Sequence, residues 1–386
     1  VATTAFLGFE AGDFSEVESS SGSVSIVTSP VRTGVYAARC NPATTFTGRV
    51  ARLGARGATG TLGANTASPF YTRFYFRYAT KPSSNDEEIV QAISAGSFKS
   101  SIRINSSGNL VQYDRLNALV ATGSTVLDAD TWYRIEWKVG SGSGSSAPYE
   151  IKINGTSELS GTADLGTGVA DRFDFGKITN RNGNGVDFFY DDIRNDDADF
   201  PGAGEVQVMQ PNANGNYQTW TIGAGSGSHW EIVDEIPQNT TDYLLSTGTS
   251  GDAETEALES AASAGVSGTI NSVQSLGAFR RDAVNAAVRV RLRSGTTDSD
   301  TTSNYTPTTS YVTIGKIFDT DPADAGAWTT GDLDGVEVGG VEQTTAKTRM
   351  TQCLVMVDYT PEAPSTKNYY GGGFANSKRL TRGIGW

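Results

Sequence analysis

Phe70-Tyr71-Thr72-Arg73-Phe74-Tyr75-Phe76-Arg77-Tyr78 places six aromatic side chains in nine positions. Aromatic residues suit a pleated surface, and no 3.6-residue period runs through the stretch, so it reads as a strand buried on at least one face. The same reading extends both ways along the chain. Residues 23–28 alternate Ser with Val and Ile, as a half-buried strand does. Residues 100–104, 110–113, 132–139, 149–153, 172–178 and 186–193 are further strand segments. Asn154-Gly155 and Ser107-Gly108-Asn109 are hairpin-type turns, because Asn and Gly tolerate positive φ. About ten antiparallel strands without a helix predict a sandwich or jelly roll.

Composition and charge set the outer limits. The 386 residues include 45 Gly, two Cys and one His, and the net charge is −13. One histidine excludes a multi-histidine metal site, and two cysteines exclude a disulfide framework. No apolar run is long enough to span a membrane, and the acid excess argues against nucleic acid as a partner. The charge is uneven. Residues 1–200 carry 22 acids against 18 bases, residues 201–364 carry 21 against 8, and residues 365–386 carry four bases and no acid. Punctuation falls at the same places: residues 195–204 are polar with Pro201 and two glycines, and Pro361 and Pro364 bracket the next boundary. The expected organisation is therefore 1–200, 201–364 and a basic, aromatic arm at 365–386.

The middle segment also reads as β-rich. Its strand candidates are residues 206–209, 218–222, 230–233, 242–246, 271–279, 286–293, 310–318 and 350–359. Residues 253–264, with Glu254, Glu256, Glu259 and several Ala, predict a short helix with acids near its N-terminus. Residues 1–10 show neither a charged n-region nor a long apolar core, so no secretory signal is read there.

Candidate chemistry is sparse. His229 follows a Gly/Ser-rich turn, and no Gly-x-Ser-x-Gly elbow accompanies it, so a catalytic triad is not predicted. The densest acidic stretch is Asp187-Phe188-Phe189-Tyr190-Asp191-Asp192-Ile193. On a regular strand Asp187, Phe189, Asp191 and Ile193 share one face. Asp187, Asp191 and Asp192 are the candidate ligands of a Ca²⁺ ion, the one cofactor admitted. The loop Asn180-Arg181-Asn182-Gly183-Asn184-Gly185 offers amides that match sugar hydroxyls, so Asn180, Arg181, Asn182 and Asn184 are candidate glycan contacts.

Several motifs occur in an order that carries a resemblance. Leu7-Gly8-Phe9-Glu10-Ala11-Gly12-Asp13, Thr33-Gly34-Val35-Tyr36-Ala37, Asp130-Thr131-Trp132-Tyr133-Arg134-Ile135-Glu136, Tyr149-Glu150-Ile151-Lys152-Ile153-Asn154-Gly155 and Phe188-Phe189-Tyr190-Asp191-Asp192-Ile193 together resemble the concanavalin A-like (laminin G-like) jelly-roll superfamily over about residues 5–195. Glucanases of that superfamily carry a Glu-x-Asp-x-x-Glu or Glu-x-Asp-x-Glu strand. No such run exists here, so the expectation is a protein that is not an enzyme, with no catalytic residue. Val208-Met209-Gln210-Pro211-Asn212-Ala213-Asn214-Gly215, Trp230-Glu231-Ile232-Val233-Asp234-Glu235, Leu333-Asp334-Gly335-Val336-Glu337-Val338-Gly339 and Val357-Asp358-Tyr359 resemble a domain of tailed-phage structural proteins over about 205–361.

The resemblances imply an all-β protein of two β-sandwich or jelly-roll domains with an extended C-terminal arm. They imply a bacteriophage virion structural protein, a capsid decoration or fibre protein assembled in the host cytoplasm and displayed on the virion surface. Its expected partners are other virion proteins such as capsid or tail, further copies of itself and a host-surface glycan, without nucleic acid or membrane insertion. In the arm, Tyr369, Tyr370, Phe374 and Trp386 would anchor, and Arg379 and Arg382 would pair with acids. The alternatives are a secreted bacterial carbohydrate-binding protein, favoured by a signal peptide upstream of Val1, and a polysaccharide-degrading enzyme.

Overall fold

The computed structural model describes residues 3–17, 19–41, 49–51, 68–176 and 186–362, and these form four antiparallel sheets. The aromatic strand, Phe70–Thr80, lies in the middle of an eight-stranded sheet, between Tyr133–Val139 and Asp187–Asp196. Its even-numbered residues Phe70, Phe74, Phe76 and Tyr78 enter the core. Phe70 stacks on Phe173 at 5.0 Å, and Phe74 meets Phe175 edge-on at 5.1 Å. Phe173 and Phe175 belong to Arg172–Gly176 of the facing seven-stranded sheet, so these rings join the two sheets into a sandwich. The Asn154-Gly155 turn has both residues at positive φ and joins Ala147–Ile153 to Thr156–Ala163, as its sequence predicts.

A second sandwich follows. Its six-stranded sheet is organised on two 13-residue strands, Thr269–Arg281 and Thr348–Thr360, and its five-stranded sheet on Ala253–Leu258, Val336–Glu342 and Val288–Ser294. A separate core with Trp220, Phe279, Val338 and Leu354's neighbours Cys353 and Val355 fills the space between them.

The two sandwiches meet through a third apolar group, in which Phe6 and Ala11 pack with Val206, Leu276, Leu354 and Met356. Beside it, Arg73 and Arg194 of the first sandwich each reach Asp358 of the second at 2.6 Å. Burial pushes the Asp358 carboxyl up, but the two guanidinium groups overcome this and hold it below the ordinary carboxylate range. Gly12 permits the close approach of the units. It has φ +73°, and a Cβ there would meet the Ile236 side chain at 3.0 Å and the Pro237 nitrogen at 3.2 Å.

Three local expectations are corrected. Residues 253–264 hold no helix. Ala253–Leu258 is a strand whose Glu254, Glu256 and Leu258 alternate inward, because pairing on both edges outweighs the helix propensity of Glu and Ala. Residues 230–233 are not a strand: Trp230–Ile232 is a single 3-10 turn. The regular alternation expected over 187–193 breaks at a bulge between Asp191 and Arg194, where Asp192 takes φ 47°. The extra residue turns Ile193 into the core beside Phe188 and Tyr190 instead of leaving it with the aspartates.

Candidate functional site

Among the described residues, polar groups gather in two places that could serve as a site. The first lies in the interior of the second sandwich. Strand alternation carries Glu254 and Glu256 inward, where neither has measurable exposure. His229 reaches them from the turn ahead of Trp230, and its Nδ1 lies 2.6 Å from Glu254 Oε1. The Trp220 backbone N–H donates to Glu254 Oε2 at 2.8 Å, and the Gln218 amide donates to Glu256 Oε2 at 3.4 Å. The Glu254 and Glu256 carboxyls also lie within hydrogen-bond reach of each other. Burial, reinforced by Glu254, pushes Glu256 up to about 9. Burial also raises Glu254, while His229 opposes the shift. Behind them Cys353, a free and buried thiol, is driven up by burial and by the two glutamates. An imidazole beside two buried carboxyls is a donor set that can hold a proton or a metal ion.

The second is a cleft of ≈ 220 Å³ between the sandwiches, lined by Asp13, Phe14, Ser15, Gln238, Tyr311 and Thr313, among others. Gln238 Nε2 donates to Asp13 Oδ2 at 3.3 Å across the junction. Ser15 Oγ, Gln238 Oε1 and Thr313 Oγ1 are buried without a hydrogen-bond partner. Phe14 and Tyr311 supply the aromatic walls.

The outer face of the seven-stranded sheet is different. Asp174, Gln91, Ser101 and Tyr113 fall in one row across four strands. Gln91 donates to Asp174 at 3.1 Å, and Arg103 pairs with Glu88 at 3.0 Å and lies 3.7 Å from the Tyr113 ring centroid. Gln91, Ser101, Arg103 and Asp174 are buried, so these groups are engaged within the protein.

Of the acids singled out in the sequence, Asp191 and Asp192 lie together against Arg32, and Asp187 pairs elsewhere. Asp187 is paired with Arg39 at 2.7 Å. Asp191 and Asp192 are buried: Asp191 accepts the Arg32 backbone N–H at 2.9 Å, and Asp192 accepts the Arg32 guanidinium at 2.5 Å and the Val206 N–H at 2.6 Å. Asp187, Asp191 and Asp192 do not form a three-ligand group; among the described residues that geometry is met by His229, Glu254 and Glu256. The glycan candidates Asn180, Arg181, Asn182 and Asn184, and the arm residues Tyr369, Tyr370, Phe374, Arg379, Arg382 and Trp386, lie outside the described residues. The glutamate pair escaped sequence reading because its composition suggested a helix. The available signal was Ala253-Glu254-Thr255-Glu256-Ala257, a period of two.

No family model and no curated protein matches the chain. Solved structures do. An endo-β-1,4-glucuronan lyase from Trichoderma reesei has a TM-score of 0.41 at 18% identity, covering 52% of this chain and 100% of its own. The cellulose induced protein Cip1 has a TM-score of 0.38 at 17% identity, covering 50% and 97%. A carbohydrate esterase from the Shiga toxin-encoding bacteriophage phi24B has a TM-score of 0.35 at 15% identity, covering 50% and 98%. The likeness is one of jelly-roll fold. It also corrects the expectation that the chain is not an enzyme: lyases, an esterase and a sialidase stand among the similar structures. Absence of one linear glucanase motif therefore gives no ground for excluding catalysis. The acid–base group at His229 shows the physical reason, since it is assembled across strands and loops and no contiguous motif reports it.

Proposed function

We propose that this is a carbohydrate-directed protein that takes a neutral saccharide in the cleft between its two sandwiches. The observation that carries the reading is the cleft's lining, in which Asp13, Ser15, Gln238 and Thr313 stand beside the rings of Phe14 and Tyr311. Amide and hydroxyl groups exchange hydrogen bonds with sugar hydroxyls, and aromatic faces cover the apolar C–H surface of a pyranose. The Asp13 carboxylate and the net charge of −13 select against anionic sugars.

The test is a panel of neutral and uronic-acid oligosaccharides, scored for binding by calorimetry and for cleavage by product chromatography. Saturable binding of neutral members, weakened at least about tenfold by Tyr311→Ala, supports the reading. Binding to no member, or binding indifferent to that change, rejects it. For the setting, a virion is a proposal for residues 205–361 that rests only on the motif resemblance of their sequence to tailed-phage structural proteins, which no family model supports. A mass-spectrometric census of purified virions decides it, and absence from them removes that placement.

A further inference from the structure

We propose that His229, Glu254 and Glu256 form a binding site for one divalent transition-metal cation of the zinc type, independent of the saccharide cleft. One ligand atom from each residue lies within 4.8 Å of the other two. A nitrogen and two carboxylate oxygens are donors that suit zinc. A second observation points the same way. Glu256 is fully buried against Glu254, and among the described residues no Lys or Arg forms an ion pair with either. Two carboxyls enclosed side by side must share a proton or a cation, and a divalent cation can fill that place with His229 as the third ligand.

The surroundings organise such a site. The Trp220 N–H holds the far oxygen of Glu254, and the Gln218 amide holds that of Glu256, so each carboxylate is steadied from behind. Gly225 and Gly227, at φ +99° and +127°, form the turn that brings His229 over the sheet. A Cβ at Gly225 would lie 2.7 Å from the Ile232 side chain. The imidazole is about one-fifth exposed, at 21%, while both glutamates are sealed, so the cation enters from the His229 side. Three protein ligands leave a coordination position toward solvent, the arrangement that distinguishes reactive sites from closed structural ones.

The experiment uses the full chain, treated with chelator and titrated with Zn²⁺ and with Co²⁺. The expected results are one equivalent of Zn²⁺ by calorimetry, and visible Co²⁺ absorption of a four- or five-coordinate ion that Zn²⁺ abolishes. His229→Ala and Glu256→Gln should each weaken binding about 100-fold or more. Glu256→Gln preserves shape and removes only charge, so it decides the matter if His229→Ala fails to fold. No saturable uptake, which would mean that a shared proton alone serves the pair, overturns the site. Uptake that survives Glu256→Gln in the folded protein also overturns it. Neutral-saccharide binding is read separately and stands or falls on Tyr311.

Discussion

The two sandwiches fill their interiors in opposite ways. The first is packed with rings: Phe70 on Phe173, Phe74 on Phe175, Phe76 on Phe188 and Trp137 on Phe173, at centroid separations of 5.0–5.6 Å. The second encloses Glu254 and Glu256 beside a core of aliphatic side chains and a few rings such as Trp220 and Phe279. Burying a ring is favourable by itself, whereas burying a carboxyl is costly unless it is neutralised or paired. The first sandwich also buries carboxyls, but Glu16 is met by the N–H groups of Gly8, Phe9 and Ala11, and Asp191 and Asp192 by Arg32. In the second, Glu254 and Glu256 lie against one another beside His229, a grouping that working sites often show.

That contrast can be broken by substitution. Trp137→Ala removes a side chain with no exposure from the aromatic interior and should lower stability by about 3–5 kcal/mol in chemical denaturation. Asp358→Ala should be comparably severe, about 3–5 kcal/mol, because it leaves Arg73 and Arg194 buried without their shared partner. Its further effect should be to separate the unfolding of the two sandwiches into two resolved thermal transitions. In the other interior, Glu256→Gln should cost less than 1 kcal/mol in chelator-treated protein, measured the same way. A loss as large as that of Trp137→Ala would show the two interiors to be alike.

The smallest expected effect is in pH. Burial pushes Glu16 up to about 7 despite the N–H groups of Gly8, Phe9 and Ala11 that it accepts. A carboxyl with a raised folded pKa holds its proton more tightly when folded. Its contribution is complete below about 4.5, the ordinary value, and is lost as pH rises through about 7. Asp358 has the opposite sign. Its depressed pKa contributes above the ordinary value of 3.8 and is lost as pH falls below it. Melting temperature should thus be highest in mild acid. Glu16→Gln should flatten the decline between pH 5 and 8, and an unchanged slope would remove Glu16 as its cause.

Much of the fold was legible in the sequence because the first sandwich is built from period-two aromatic strands and positive-φ hairpin turns, both of which are local signals. Phe70–Thr80, Tyr133–Val139 and the Asn154-Gly155 turn are examples. What escaped was set by tertiary contact. Ala253–Leu258 has helix-forming residues and becomes a strand only because Pro211–Gln218 and Val336–Glu342 flank it. Asp192 breaks the alternation of its strand at a bulge that no residue type announces. The cleft joins Asp13 to Gln238, 225 positions apart, and no local pattern connects them.

The central claim is that the junction of the two sandwiches holds a saccharide, and the most direct measurement is saturation-transfer NMR of a neutral oligosaccharide with the full chain and its Gln238→Ala variant. The account predicts transfer from protein to sugar C–H protons that falls at least about tenfold in the variant at matched concentration. Equal transfer in the two proteins would contradict it.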